Sequence, residues 1–87
     1  MDIYGIDFSP DGRASLSSVD KEIAQRVLDK LRWLAQNAEC VHHLPLRGRL
    51  AGLFKLRVGE WRVIYDVSHA EKVVTVHKVG HRREVYQ

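Results

Sequence analysis

Leu53-Phe54-Lys55-Leu56-Arg57-Val58-Gly59-Glu60-Trp61-Arg62-Val63-Ile64-Tyr65-Asp66-Val67 is the stretch whose reading decides the fold. Two alternating apolar/polar runs meet at Gly59-Glu60, and a two-residue Gly-X connection is a strong hairpin signal. So short a turn also fixes the register. Val58 then faces Trp61, Leu56 faces Val63 and Phe54 faces Tyr65, giving one continuous apolar face. The other face carries Lys55, Arg57, Arg62 and Ile64, with Arg57 directly across from Arg62. Like charges opposed across strands destabilise a sheet by roughly 0.2–1 kcal/mol. Two guanidinium groups placed so, with Lys55 beside them, describe a surface that awaits an anion.

The 87 residues suit one domain, spanning 1–87, that can bury a core without staples. A single cysteine, Cys40, excludes an internal disulfide and fits a reducing, cytoplasmic setting. The opening residues lack the basic and apolar runs of a signal peptide or membrane anchor, so no membrane is expected as a partner. Charge is polarised. Residues 1–43 hold five Lys/Arg against seven Asp/Glu, and residues 44–87 hold nine against four. A basic second half suits a phosphate-rich partner.

Outward from the hairpin, Ile3 to Phe8 alternates loosely and reads as a first strand. Ser9 before Pro10 starts a short helix to about Ser17, weakened by Gly12 and its serines. Ser17-Ser18-Val19-Asp20 has the form of an N-cap for a longer helix. In it Ile23, Ala24, Val27, Leu28, Leu31, Leu34 and Ala35 fall within an arc of roughly 140°. Trp33 lies off that stripe, so it either packs on the first helix or a loop, or stands exposed as an anchor for a partner protein. Residues 37–49 form a loop in which Arg47 and Arg49 flank Gly48, either as solvated charges or as a rim for a phosphate backbone. His42-His43 lacks ligand spacing, and neither a metal nor a cofactor is expected.

Residues 72–79 form a last strand. If its turn pairs Val67 with Lys72, Val63 faces Val76 and Arg62 faces His77, which joins the basic face. The expected architecture is α+β: an N-terminal strand and two helices, short then long, packed on one face of a mainly antiparallel four-stranded sheet.

Three motifs, Leu53-Phe-Lys-Leu-Arg57, Trp61-Arg-Val-Ile-Tyr65 and Val79-Gly-His-Arg-Arg-Glu-Val-Tyr86, resemble the RelE/ParE superfamily of toxins from type II toxin–antitoxin modules, most of all its RelE branch. The resemblance runs from the first strand to the terminal tyrosine. It implies a RelE-like fold and a ribosome-dependent endoribonuclease, an mRNA interferase that cuts translated mRNA and inhibits translation. It also implies a cognate antitoxin that neutralises the toxin, with operator DNA met only indirectly through that complex. The family's basic hairpin positions correspond to Lys55, Arg57 and Arg62, its tail arginine to Arg82 and its tail tyrosine to Tyr86. Relatives often carry lysine where this chain has Arg57, the hairpin turn looks tighter, and the extra C-terminal helix of some members has no counterpart.

Metal-independent RNA cleavage needs a deprotonated 2′-OH, in-line geometry, a stabilised phosphorane and a protonated 5′-oxygen. Arg57, Arg62 and Arg82 suit the phosphorane, since guanidinium stays charged and matches phosphate oxygens bidentately. The proton chemistry falls to Lys55, which the resemblance favours as base with Arg82 near the leaving group, or to His81, with His77 a second histidine if its register holds; Tyr86 can orient the 2′-OH or stack on a base. Arg83 is expected at the surface, facing RNA or antitoxin. Two alternatives use the same fold: a ParE-like inhibitor of DNA gyrase, and a catalytically inactive relative that only binds RNA.

Overall fold

The chain runs β1 (Gly5–Phe8), α1 (Pro10–Ser17), α2 (Lys21–Asn37), β2 (Leu44–Pro45), a 3-10 turn (Gly48–Leu50), β3 (Phe54–Val58), β4 (Trp61–Ser68) and β5 (Val73–His81). This is a computed structural model, which describes residues 3–86. The five strands make one sheet in the order β1-β5-β4-β3-β2. β1 runs parallel to β5, and the other neighbours are antiparallel. The sheet thus has one strand more than the four expected. The addition is the two-residue β2, where Leu44 and Pro45 pair with Lys55 and Phe54. Pro45 can sit there because β2 is an edge strand.

The hairpin takes the register its sequence dictates, including Arg57 opposite Arg62. Gly59 alone in the turn has positive φ, at 59°, as the first position of a Gly-X connection requires. The β4–β5 register differs from expectation. Ser68 pairs with Val73, Tyr65 with Val76, Ile64 with Lys78, Val63 with Val79 and Arg62 with Gly80, with a shift between Ile64 and Tyr65. His77 is the extra residue of that β-bulge, so Arg62 faces Gly80 rather than His77.

The helix starts differ in kind. Ser9 caps α1 as expected, its Oγ accepting from Gly12 N at 3.0 Å, with Pro10 in the first turn. The expected Ser17 cap of α2 does not form. Ser17 closes α1, its Oγ donating to Arg13 O, and Asp20 stands at the α2 N-cap without a side-chain bond. The poor helix former Gly12 has a packing reason. A Cβ there would lie 2.1 Å from Val76 O, so only glycine lets α1 approach β5.

That approach closes a sheet edge. β1 pairs with β5 only from Val73 to Val76. Beyond it, α1 takes over: Ser9 N donates to Val76 O at 2.9 Å, and Val79 N donates to Ser15 Oγ at 2.8 Å. The core lies between helices and sheet, built from Val27, Leu31 and Leu34 of α2 against Val63, Tyr65, Val74 and Val76. Each such aliphatic side chain contributes about 1.5–3 kcal/mol on burial. Ile64 and Val85 are also buried, yet they stand outside this cluster, beneath the C-terminal turn.

Candidate functional site

Alternation directs Lys55 and Arg57 of β3, and Arg62, Ile64 and Asp66 of β4, to the face away from the helices. Two features are built on it, a cationic turn and a cleft.

At the turn, Arg57 is exposed, and Arg62 bends back so that its Nη1 donates to the carbonyls of Gly59 and Trp61, both at 2.8 Å. Those dipoles ease the repulsion that the opposed arginines create. The tail is stapled to the same turn. Arg82 N donates to Glu60 O at 2.9 Å, and Arg82 Nε lies 2.6 Å from Glu60 Oε2. Arg26 of α2 also reaches it, for a Cβ on Gly59 would sit 2.7 Å from Arg26 Nη2. The turn therefore gathers four arginines. Arg26 escaped the sequence reading because nothing local in α2 announces a contact with a hairpin over thirty residues away; its place off the apolar stripe was the only sign.

The cleft, of about 590 Å³, lies beside β4 and β5. Ile64 and Val85 form its apolar floor, Arg47 and Arg49 its basic rim, and Tyr86 one wall. Val85 is anchored by Gly80, whose missing side chain leaves room for it, and by its own N–H to His81 O at 3.0 Å. Tyr86 beside it remains 42% exposed, free to stack on a planar ligand.

The two histidines lie on opposite faces of the sheet. His77 lines the cleft, its Nε2 2.7 Å from Asp66 Oδ2. His81 pairs across from Trp61, meeting the indole edge-on at 5.5 Å, so it shares the Trp61 side of the sheet and not that of Arg62. Its Nδ1 accepts from Arg83 N at 3.3 Å. Lys55 is half-buried across from Ile64, and Arg83 lies at the surface. Trp33 is 41% exposed, with Lys30 Nζ 4.1 Å from its ring centroid, and borders a shallow groove shared with Arg57. The site residues thus fall in two groups, Arg57, Arg62 and Arg82 at the turn and Arg47, Arg49, His77 and Tyr86 at the cleft.

Away from this face, His43 bonds Tyr65 Oη through Nδ1 at 2.5 Å and Ala38 O through Nε2 at 2.9 Å, which occupies both its nitrogens. Burial pushes the Tyr65 hydroxyl up to about 12. Among the described residues no three His, Cys, Asp or Glu side chains gather as a metal site, and no helix is long and apolar enough to cross a membrane.

Residues 6–86 match the family described as the ParE toxin of type II toxin-antitoxin systems, parDE. Toxin RelG of Mycobacterium tuberculosis is 37% identical over 43 residues, and the match spans 49% of each chain, about half the length of that relative. The toxin–antitoxin complex RelBE2 of the same organism shares the fold at a TM-score of 0.83 with 28% identity, covering 97% of both chains. A free mutant of Escherichia coli toxin RelE gives 0.76 with 25% identity, over 98% of this chain and 92% of that one. The archaeal RelE–RelB complex of Pyrococcus horikoshii gives 0.73 with 26% identity, over 97% and 100%. A family match across nearly the whole chain, on a sheet and helix order shared with RelE structures, makes this protein a member of the RelE/ParE superfamily of type II toxin–antitoxin toxins.

Proposed function

We propose that the protein is a ribosome-dependent endoribonuclease that cuts translated mRNA in the cytoplasm and is neutralised by a cognate antitoxin. The observation that carries this reading is the juxtaposition, on one open sheet face, of an arginine-ringed turn and a tyrosine-walled, basic-rimmed cleft. A phosphodiester needs charge, and its flanking bases need flat apolar surface; this face offers both. Arg57, Arg62 and Arg82 grip the scissile phosphate and stabilise the phosphorane, with Lys55 alongside. Tyr86 stacks on a base, while Arg47, Arg49 and Arg83 follow the backbone.

The phosphate grip is held in reserve by weak contacts. Arg82 and Glu60 side chains are 50% and 61% exposed, so their ion pair contributes about 0–1 kcal/mol and yields readily to a phosphate. The RelBE2 and archaeal RelE–RelB relatives are complexes with their antitoxins, which supports an antitoxin partner here. An acidic segment would cover the arginines, and Trp33 offers an aromatic anchor beside Arg57. Operator DNA would be met only through that complex.

The ParE description of the matched family favours a second reading, inhibition of DNA gyrase without RNA chemistry. Primer extension on a translated message after induction decides between them. New 5′ ends within the message support the ribonuclease. An intact message with continuing translation rejects it, and loss of supercoiling by purified gyrase would then support the second reading. Salt-sensitive RNA binding with no cleavage would identify an inactive relative.

A further inference from the structure

The cleft contains one acid–base pair that phosphate gripping leaves unused. Val76 and Val79 are both buried in the helix-side core, three residues apart on β5. Strict alternation would send one of them outward. The bulge resolves this by placing two consecutive residues, His77 and Lys78, along the cleft on the opposite face. Bulges recur beside functional sites because they re-aim a side chain in this way. Asp66 projects to the same face from β4 and meets His77 Nε2 at 2.7 Å.

That contact selects a tautomer. A carboxylate only accepts, so His77 Nε2 carries the hydrogen and the neutral ring has its lone pair on Nδ1. Nδ1 has no hydrogen-bond partner among the described residues. The ring is thus fixed by a carboxylate at one nitrogen and a proton acceptor at the other, within a cleft walled by Tyr86. The competing groups are less suited. Lys55 has no carboxylate partner among the described residues to orient it, and His81 Nδ1 already accepts from Arg83 N on the Trp61 side.

We propose that His77, oriented by Asp66, is the general base of the cleavage, an assignment that rests on the ribonuclease reading. His77 Nδ1 takes the 2′-hydroxyl proton as O2′ bonds to the adjacent phosphorus. The P–O5′ bond breaks, the departing 5′-oxygen takes a proton from water, and the imidazolium returns its proton to the hydroxide so formed. The products are a 2′,3′-cyclic phosphate and a 5′-hydroxyl. Arg57, Arg62 and Arg82 hold the reacting phosphate, while Lys78, Arg47 and Arg49, which line the cleft with His77, hold the flanking backbone.

Single-turnover cleavage of a short mRNA on programmed ribosomes tests this with the intact protein. His77→Gln should slow cleavage on the order of 10²-fold or more, the usual contribution of a positioned base. His77→Ala should recover part of its rate with added imidazole, which a purely structural role would not allow. Asp66→Asn, at the positioning residue, should lower the rate on the order of tenfold at saturating ribosomes while leaving half-saturation unchanged. Antitoxin binding and melting temperature report that each variant is folded. A His77→Gln protein cutting within about threefold of the parent overturns the assignment. So does a slow His77→Ala protein that imidazole leaves slow. If the parent itself never cuts, the ribonuclease reading falls and the base falls with it; if the parent and His77→Gln both cut, the base alone is lost.

Discussion

The two faces of this sheet obey different rules. On the helix side Leu56, Val58, Val63 and Tyr65 are buried against α2, and each position is occupied by what packs. On the other side Arg57 meets Arg62, Gly80 makes room for Val85, and a bulge sets His77 beside Asp66. Packing explains none of the charged choices. The inner face shows what stability requires, and the outer face departs from it where function requires otherwise.

Matched substitutions across the sheet should separate the two. Leu31→Ala removes a fully buried side chain and should cost about 2–5 kcal/mol in urea unfolding. Arg57→Ala removes an exposed cation with no packing to lose, so stability should stay within about 0.5 kcal/mol. On the proposed ribonuclease reading, its cleavage rate on programmed ribosomes should nevertheless fall on the order of 10²–10³-fold, the cost of deleting one transition-state donor. Should Arg57→Ala unfold the protein, or Leu31→Ala leave it intact, the division between the faces would break down.

How much of this was legible in the sequence follows the same division. The β3–β4 register could be read because a two-residue turn admits one solution and a period of two does the rest. The β4–β5 register could not. Its turn spans several residues, and the bulge exists because Val76 and Val79 both seek the core while α1 supplies bonds from Ser9 N and Ser15 Oγ to the strand edge. Those partners lie more than sixty residues away in the chain. Expecting His77 on the basic face was right for a wrong reason, since Arg62 is not its neighbour. His81 was expected to share the proton chemistry as a histidine, but one step of strand alternation sends it to the Trp61 side. Arg26 and Asp66 carried no sign beyond ordinary surface charge.

Tyr65 offers a sharper comparison within the inner face, because it is a fully buried core side chain whose titratable end is shifted. Burial holds its hydroxyl at about 12 against an ordinary 10. Between pH 10 and 12 the unfolded chain therefore releases a proton that the folded protein keeps, and stability falls as pH rises through that window. The full effect is on the order of 2–3 kcal/mol at 1.36 kcal/mol per unit. Tyr65→Phe should remove that alkaline slope, while costing about 1–3 kcal/mol at neutral pH by leaving His43 Nδ1 without its partner. Thermal melts of both proteins at pH 7, 10 and 11 measure this; parallel slopes would show that the alkaline loss arises elsewhere.

The smallest effect probes how tightly the outer face holds its own cations. Glu60 is the acidic member of the turn, and its pair with Arg82 competes with any phosphate for that guanidinium. Glu60→Gln removes the charge while leaving the Arg82 N to Glu60 O bond in place, so the tail stays where it is. An exposed pair contributes about 0–1 kcal/mol, so stability should fall by no more than that. The freed arginine, and the loss of a repelling carboxylate, should tighten RNA binding by up to about fivefold at low salt, with the gain shrinking as salt rises. Anisotropy titrations of a labelled RNA at two salt concentrations resolve a change of that size. Tighter binding would place Arg82 on the phosphate path. Unchanged binding would mean that the pair holds the tail in shape and that the grip belongs to Arg57 and Arg62.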